Sequence, residues 1–182
     1  MKIFIAVLLL SAASNIVVSQ SARKPMTRNP NSGYANFNEI NGGYGLGGTT
    51  LPYSKYYVGL TTIHGYQLNI HGMKINQSLF GGLGTGLLLY NEGFLFPVFA
   101  DLRFTVNKRK VSPFAYGESG FHVNMDDPLN GLRIFIDAGL GLKIKISETL
   151  FSTFSVGGKM QVGNSNTDSF LNTKLGLAFK PN

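Results

Sequence analysis

Residues 132–146 have the sequence LRIFIDAGLGLKIKI, in which apolar side chains occupy every second position without a break. Eight positions share one face: Leu132, Ile134, Ile136, Ala138, Leu140, Leu142, Ile144 and Ile146. The alternate positions carry all the charges of the segment. A period of two predicts a β-strand, because successive side chains of a strand point to opposite faces of its sheet. One face of this strand is therefore apolar, and the other holds charge.

The same alternation recurs along the rest of the chain, and clusters of Gly, Asn, Asp, Ser and Pro separate its segments. The predicted strands are 37–46, 56–68, 79–90, 96–106, 114–123, 132–146, 153–162 and 171–179. Short connectors make neighbouring strands antiparallel, and eight such strands in sequence close most simply as an up-and-down barrel. The sequence therefore predicts an all-β fold, one eight-stranded antiparallel barrel over 37–179, with a short tail at 180–182.

The composition indicates which solvent surrounds this barrel. Charged residues make up 14% of the chain, against about 25% in soluble domains. A barrel in water exposes charges on its outer wall, whereas these strands place the charges opposite an apolar face. Apolar-out strands of about ten residues are typical of transmembrane barrels, whose closure satisfies every backbone hydrogen bond without water. The sequence thus predicts a transmembrane β-barrel with a polar lumen.

The N-terminal 36 residues are not predicted to belong to the barrel. Lys2 precedes an apolar run over 3–10, which is too short to span a membrane and is followed by small residues. We interpret 1–19 as a signal peptide and the polar segment 20–36 as a flexible lead-in. The formal net charge of +7 suggests nucleic acid as a partner, but an exported protein does not meet it.

The inward faces of the strands hold charges of both signs. They are Glu39, Asp101, Arg103, Glu118, Arg133, Asp137, Lys143, Lys145, Lys159 and Lys174. A charge in a narrow lumen needs a partner, so one interpretation is a network of ion pairs that plugs the barrel. The other is an ion pathway lined by charge. Eight strands leave an interior just wide enough for side chains, which favours the plug.

The sequence gives little indication of a catalytic site or a metal-binding site. The chain has no cysteine, and its three histidines (His64, His71 and His122) form no HxH or HExxH motif, so neither a metal site nor a cofactor is predicted. Ser119, His122 and Asp126 lie near one predicted rim and are the only residues that suggest a hydrolytic triad. Their spacing matches no known motif, and we interpret them as ordinary rim residues.

A signal peptide followed by this barrel pattern resembles the small eight-stranded outer-membrane proteins of bacteria, the OmpA/OmpX-like barrels. The resemblance is carried by 57–60 (YVGL), 95–103 (LFPVFADLR), 111–114 (VSPF) and a last strand that ends on Phe179. It implies a non-enzymatic, monomeric outer-membrane protein with a structural or surface-interaction role. Its partners would be outer-membrane lipid and lipopolysaccharide, with the barrel-assembly machinery during insertion. Two alternatives are a lipid A-modifying barrel enzyme and a soluble exported barrel that binds an apolar ligand.

Aromatic girdles and charge suggest how such a barrel sits in its membrane. The chain has no Trp, so the candidates for the girdles are Tyr34, Tyr44, Tyr56, Tyr57, Tyr66, Tyr90, Phe94 and Phe96. If the N-terminus is periplasmic, that side of the membrane holds one acidic residue, Glu148, and eight basic ones from the lead-in, the connectors and the tail: Arg23, Lys24, Arg28, Lys74, Lys108, Arg109, Lys110 and Lys180. The opposite connectors are mildly acidic. We therefore expect a barrel with a positive periplasmic end.

Overall fold

The computed structural model of the chain describes residues 32–47, 55–70, 76–91, 93–108, 110–124, 132–163 and 167–180. The predicted signal peptide and residue Asp126 lie outside these ranges. The described residues form eight strands: β1 (Gly33–Gly45), β2 (Tyr56–Ile70), β3 (Gln77–Tyr90), β4 (Gly93–Val106), β5 (Val111–Val123), β6 (Arg133–Lys145), β7 (Leu150–Val162) and β8 (Thr167–Phe179).

Each strand pairs antiparallel with the next, and β1 pairs antiparallel with β8, so the sheet closes on itself. The predicted all-β, eight-stranded, up-and-down barrel is confirmed. The strands are 13 to 15 residues long; seven of them are longer than the alternation alone indicated, whereas β6 is two residues shorter than the predicted 132–146. Residues 33–36, expected in the flexible segment 20–36, instead begin β1, because their backbone pairs with residues 64–67 of β2.

The two faces of the wall are those that the alternation predicted. Large outward apolar side chains are exposed, with Leu83 and Leu140 each at 71%. The alternate side chains fill the lumen, where Asp101 and Arg103 are buried. An exposed apolar wall around a buried charged interior is inside-out for a protein in water. It is the arrangement of a barrel surrounded by lipid.

Glycines in the wall make room for aromatic rings in the lumen. Phe99 points inward from β4 and has Gly84 of β3 and Gly120 of β5 as its register partners on either side. A Cβ at Gly84 would overlap the Phe99 ring, and one at Gly120 would overlap the carbonyl oxygen of Val98. The interior is therefore filled by large rings that depend on neighbours without side chains.

We expect Gly120→Ala to destabilise the barrel by about 1–3 kcal/mol, because its methyl group meets the backbone of β4 and the strands must separate to admit it. The matched control is Gly158→Ala, since a Cβ at Gly158 meets nothing within 4 Å. Urea unfolding of the protein in lipid vesicles measures both variants. Equal stabilities for the two would contradict the packing described here.

The termini and the outward tyrosines define two ends of the barrel. The end with the start of β1 and the end of β8, called the terminal end, also holds the β2–β3, β4–β5 and β6–β7 connections; the other is the loop end. Tyr34 pairs with Tyr66 near the terminal end, and Tyr44 pairs with Tyr56 near the loop end. Ten residues of strand separate the two pairs, about 33 Å along the strand and about 25 Å in height at a tilt of about 40°.

That height equals the apolar band of an outer-membrane barrel, so these two tyrosine pairs form the girdles of this side of the wall. Two other girdle candidates were wrong. Tyr57 and Tyr90 are buried in the lumen, where their rings pack 5.1 Å apart. Tyr57 follows the exposed Tyr56, and Tyr90 follows the exposed Leu89. Successive side chains of a strand face opposite sides, so both tyrosines point into the lumen.

Candidate functional site

The centre of the lumen is a cluster of ion pairs around Arg103. Its Nη1 and Nη2 donate to the two carboxylate oxygens of Glu39 at 2.7 and 3.1 Å. Its Nε and Nη2 donate to Asp101 at 3.0 and 2.8 Å. The guanidinium also lies 4.2 Å from the centre of the Phe37 ring. One buried cation thus bridges two carboxylates with paired hydrogen bonds, a geometry that arginine provides and lysine cannot.

A second cluster, around Lys174, lies beside the first. Its Nζ is 2.6 Å from Glu118 Oε1 and 3.0 Å from Asp137 Oδ2. Asp137 also accepts hydrogen bonds from Tyr116 Oη, at 3.0 Å, and from the side-chain amide of Asn172. Glu118 joins the two clusters, because it is also 3.8 Å from Arg103 Nη2. The network therefore extends across the barrel rather than along one strand.

Two further lysines are held by aromatic rings instead of carboxylates. Lys159 Nζ lies 4.5 Å from the centre of the Tyr57 ring and 4.7 Å from that of Phe135. Lys143 Nζ lies 4.3 Å from the Phe151 ring. Neither has a carboxylate oxygen within 4 Å in the part of the chain that the structure describes. Cation–π contact stabilises each buried charge at these positions.

The remaining predicted lumen charges lie at the two rims. Arg133 Nη1 is 3.4 Å from Asp168 Oδ2 at the loop end. Lys145 and Glu148 pair at 2.7 Å at the terminal end, where both side chains are substantially exposed. Lys145 was expected inside the lumen; it emerges at the rim because β6 ends there. The structure thus brings six of the ten charges together and places Lys143, Lys159, Arg133 and Lys145 elsewhere.

Side chains pack the centre of the lumen. Two apolar clusters accompany the ion pairs, one that includes Phe37, Ile63 and Phe80 and one that includes Tyr57, Leu88 and Phe170. A cavity of about 20 Å³ lies between them, lined by residues that include Thr61, Asp137 and Lys159. That volume holds about one water molecule. The geometry therefore fits a plugged barrel rather than an open ion pathway.

The suggested hydrolytic triad does not form. Ser119 is exposed on the outer wall, whereas His122 is fully buried in the lumen and stacks on the Phe135 ring at 4.4 Å. Residues three apart on a strand face opposite sides, so the two cannot meet. Within the described ranges, no group of three or more His, Cys, Asp or Glu residues could hold a metal ion.

Sequence reasoning missed several partners of these charges. The hydrogen bonds from Tyr116 and Asn172, and the rings around Lys143 and Lys159, depend on contacts across the lumen. It also assigned no face to Thr62 and His64, which interrupt the apolar outward series of β2. That interruption is the signal that could have revealed a polar cluster on the outer wall.

The comparisons with known proteins find only distant similarity. No family model matches the chain, and no curated protein matches it. Among solved structures, a chain from a study of de novo designed transmembrane β-barrels is 18% identical over 81% of this chain and 95% of its own, with a TM-score of 0.47.

Two natural barrels are more distant still. The N-terminal β-barrel domain of Pseudomonas aeruginosa OprF is 12% identical over 80% of this chain and 97% of its own, with a TM-score of 0.42. The translocator domain of the autotransporter NalP from Neisseria meningitidis is 10% identical over 97% and 96%, with a TM-score of 0.35. The barrel fold of this chain is shown by its strand pairing, which closes from β8 back to β1, and not by these neighbours. Among the described residues, no helix is long and apolar enough to cross a membrane.

Proposed function

We propose that the protein is an integral β-barrel of a bacterial outer membrane, exported by its signal peptide, with a structural or surface-interaction role and no catalytic activity. The observation that carries this proposal is the apolar outer wall between two pairs of outward tyrosines. Only a lipid environment makes that wall favourable, because large apolar patches on a protein in water drive association. Its partners are then outer-membrane lipid and lipopolysaccharide, and the assembly machinery during insertion.

The filled lumen supports a structural role over transport. Arg103, Glu39 and Asp101 are each at most 3% exposed, and they hold one another by direct hydrogen bonds. A soluble barrel that binds an apolar ligand needs an apolar cavity, and this interior has charge where the ligand would lie. The alternative of a lipid A-modifying enzyme is not supported by the residues that suggested it, because Ser119 and His122 face opposite sides of the wall.

The charges at the rims support an orientation. Among the described residues, the terminal end carries four basic side chains, Lys108, Lys110, Lys145 and Lys180, and one acidic side chain, Glu148, so this end is net positive. We assign this end to the periplasm and the loop end to the exterior, as the connectors of the sequence suggest. The short loops then leave little external surface for a large adhesive structure.

Membrane fractionation combined with gel migration tests the proposed function. We expect the protein in the outer-membrane fraction, resistant to a high-salt wash. In detergent, the unboiled protein should migrate differently from the boiled protein, because the closed barrel survives until heated. Release by high salt, or identical migration before and after boiling, would refute the proposal.

A further inference from the structure

A polar patch interrupts the lipid-facing wall of β1 and β2. It consists of Tyr34, Asn36, Asn38, Thr62 and His64, all at outward positions of the alternation. Asn36 is itself buried, at 3% exposure. The Asn36 amide donates to Thr62 Oγ1 at 3.2 Å and to the Ile63 carbonyl at 3.0 Å. Thr62 Oγ1 lies 3.1 Å from His64 Nε2, and the Tyr34 hydroxyl is hydrogen-bonded to His64 Nδ1. The patch is therefore a connected set of hydrogen bonds in a wall that is otherwise apolar.

The register places part of this patch deep in the membrane. Asn38 pairs with Thr62, four residues along β1 from the Tyr34–Tyr66 pair and six from the Tyr44–Tyr56 pair. That row lies about 10 Å from one girdle and about 15 Å from the other, near the middle of the apolar band. Neither water nor the ester groups of lipids reach this depth. Thr62 and His64 place a hydroxyl beside an imidazole, as hydrolytic sites do. At this depth the pair has no water with which to hydrolyse a substrate.

One side of the patch faces outward with unused hydrogen-bonding capacity. Asn38 is exposed, and its amide nitrogen donates to Asn36 Oδ1, while its own Oδ1 accepts no hydrogen bond from the described residues. Thr85 of β3, the register partner of Thr62, is exposed as well. Polar groups in hydrocarbon favour contacts that satisfy them, and another protein surface is the source of such groups at this depth.

We propose that this patch binds a second copy of the same chain, so that the barrel forms a two-fold symmetric dimer through β1 and β2. All copies insert in the same orientation, so the patch lies at the same depth in each of them. A two-fold axis normal to the membrane therefore brings the patch of one copy against the patch of the other. An amide both donates and accepts, which makes Asn38 complementary to its own symmetry mate. The inference rests on the proposed membrane location, and it replaces the monomer expected from the sequence.

Energy transfer between labelled barrels tests the dimer. Because the chain has no cysteine, Lys55→Cys introduces a single labelling site at the exposed rim beside β2. Donor- and acceptor-labelled protein is reconstituted in phosphatidylcholine vesicles over a series of lipid dilutions. We expect transfer above the random level that declines on dilution, and Asn38→Leu in the same background should weaken dimerisation about tenfold. Ser119→Leu, which removes an outward hydroxyl from β5 on the opposite side of the barrel, is the control and should leave it unchanged.

Random-level transfer at every dilution would overturn the proposal and leave another membrane protein as the occupant. Unaltered dimerisation of Asn38→Leu would overturn it as well, because the contact would then lie elsewhere on the wall. Heat-dependent migration is recorded for each variant. A parent protein that fails to insert contradicts the proposed function, whereas an inserted barrel that stays monomeric contradicts only the dimer.

Discussion

Replacing Arg103 by Met should lower the free energy of unfolding by about 3–5 kcal/mol, the largest effect expected of any single substitution here. The guanidinium makes hydrogen bonds of 2.7 to 3.1 Å to Glu39 and Asp101, and both carboxylates are at most 3% exposed. Removing it leaves two negative charges together in the lumen without their cation. Urea unfolding in lipid vesicles, with heat-dependent migration as the test of folding, measures the loss.

The ion pair of Lys145 with Glu148 provides the matched control. It is as short as the Arg103–Glu39 contact, 2.7 Å in each case, but its side chains are 37% and 80% exposed. Lys145→Met should therefore cost less than about 1 kcal/mol, since water solvates the carboxylate that remains. If the barrel tolerates Arg103→Met as well as Lys145→Met, the lumen network does not stabilise it.

A variant with neutral side chains at positions 39 and 101 distinguishes two causes of the lost stability. One is the loss of the ion pairs, and the other is the cost of burying carboxylates that have no cation. In the triple variant Arg103→Met, Glu39→Gln and Asp101→Asn, no buried charge is left unpaired at the centre. We expect this variant to recover part of the stability lost by Arg103→Met alone. A triple variant less stable than the single one would show that shape, rather than charge, determines the packing around Arg103.

The strands and their faces were predictable because a period of two is a local property. Residues 132–146 alternate without interruption, and the structure exposes Leu140 and buries Asp137 accordingly. Antiparallel neighbours also follow locally, from short connectors. The strand ends are less local: Gly33 joins β1 only because Gln67 of β2 is there to pair with it.

The contacts inside the lumen were not predictable in the same way. Glu39 and Arg103 are 64 residues apart and on strands that are not neighbours. Alternation shows that both point inward, but which charges meet depends on the stagger of the closed barrel and the reach of each side chain. Lys159 shows that even the strand register does not predict the contact. Asp137 is its register partner, yet the Nζ of Lys159 lies against the rings of Tyr57 and Phe135.

Replacing Leu140 by Arg should lower the free energy of unfolding in lipid vesicles by about 2–4 kcal/mol, because Leu140 projects into hydrocarbon from the middle of β6. The matched control is Ile146→Arg, at the terminal end of the same outward series, where a guanidinium reaches the headgroups and the cost falls to about 0–1 kcal/mol. In water both side chains would be solvated alike. A large loss at Leu140 and a small one at Ile146 would therefore reflect the depth of each residue in the bilayer. Equal small losses would mean that this wall does not face lipid, and the membrane location would fail with it.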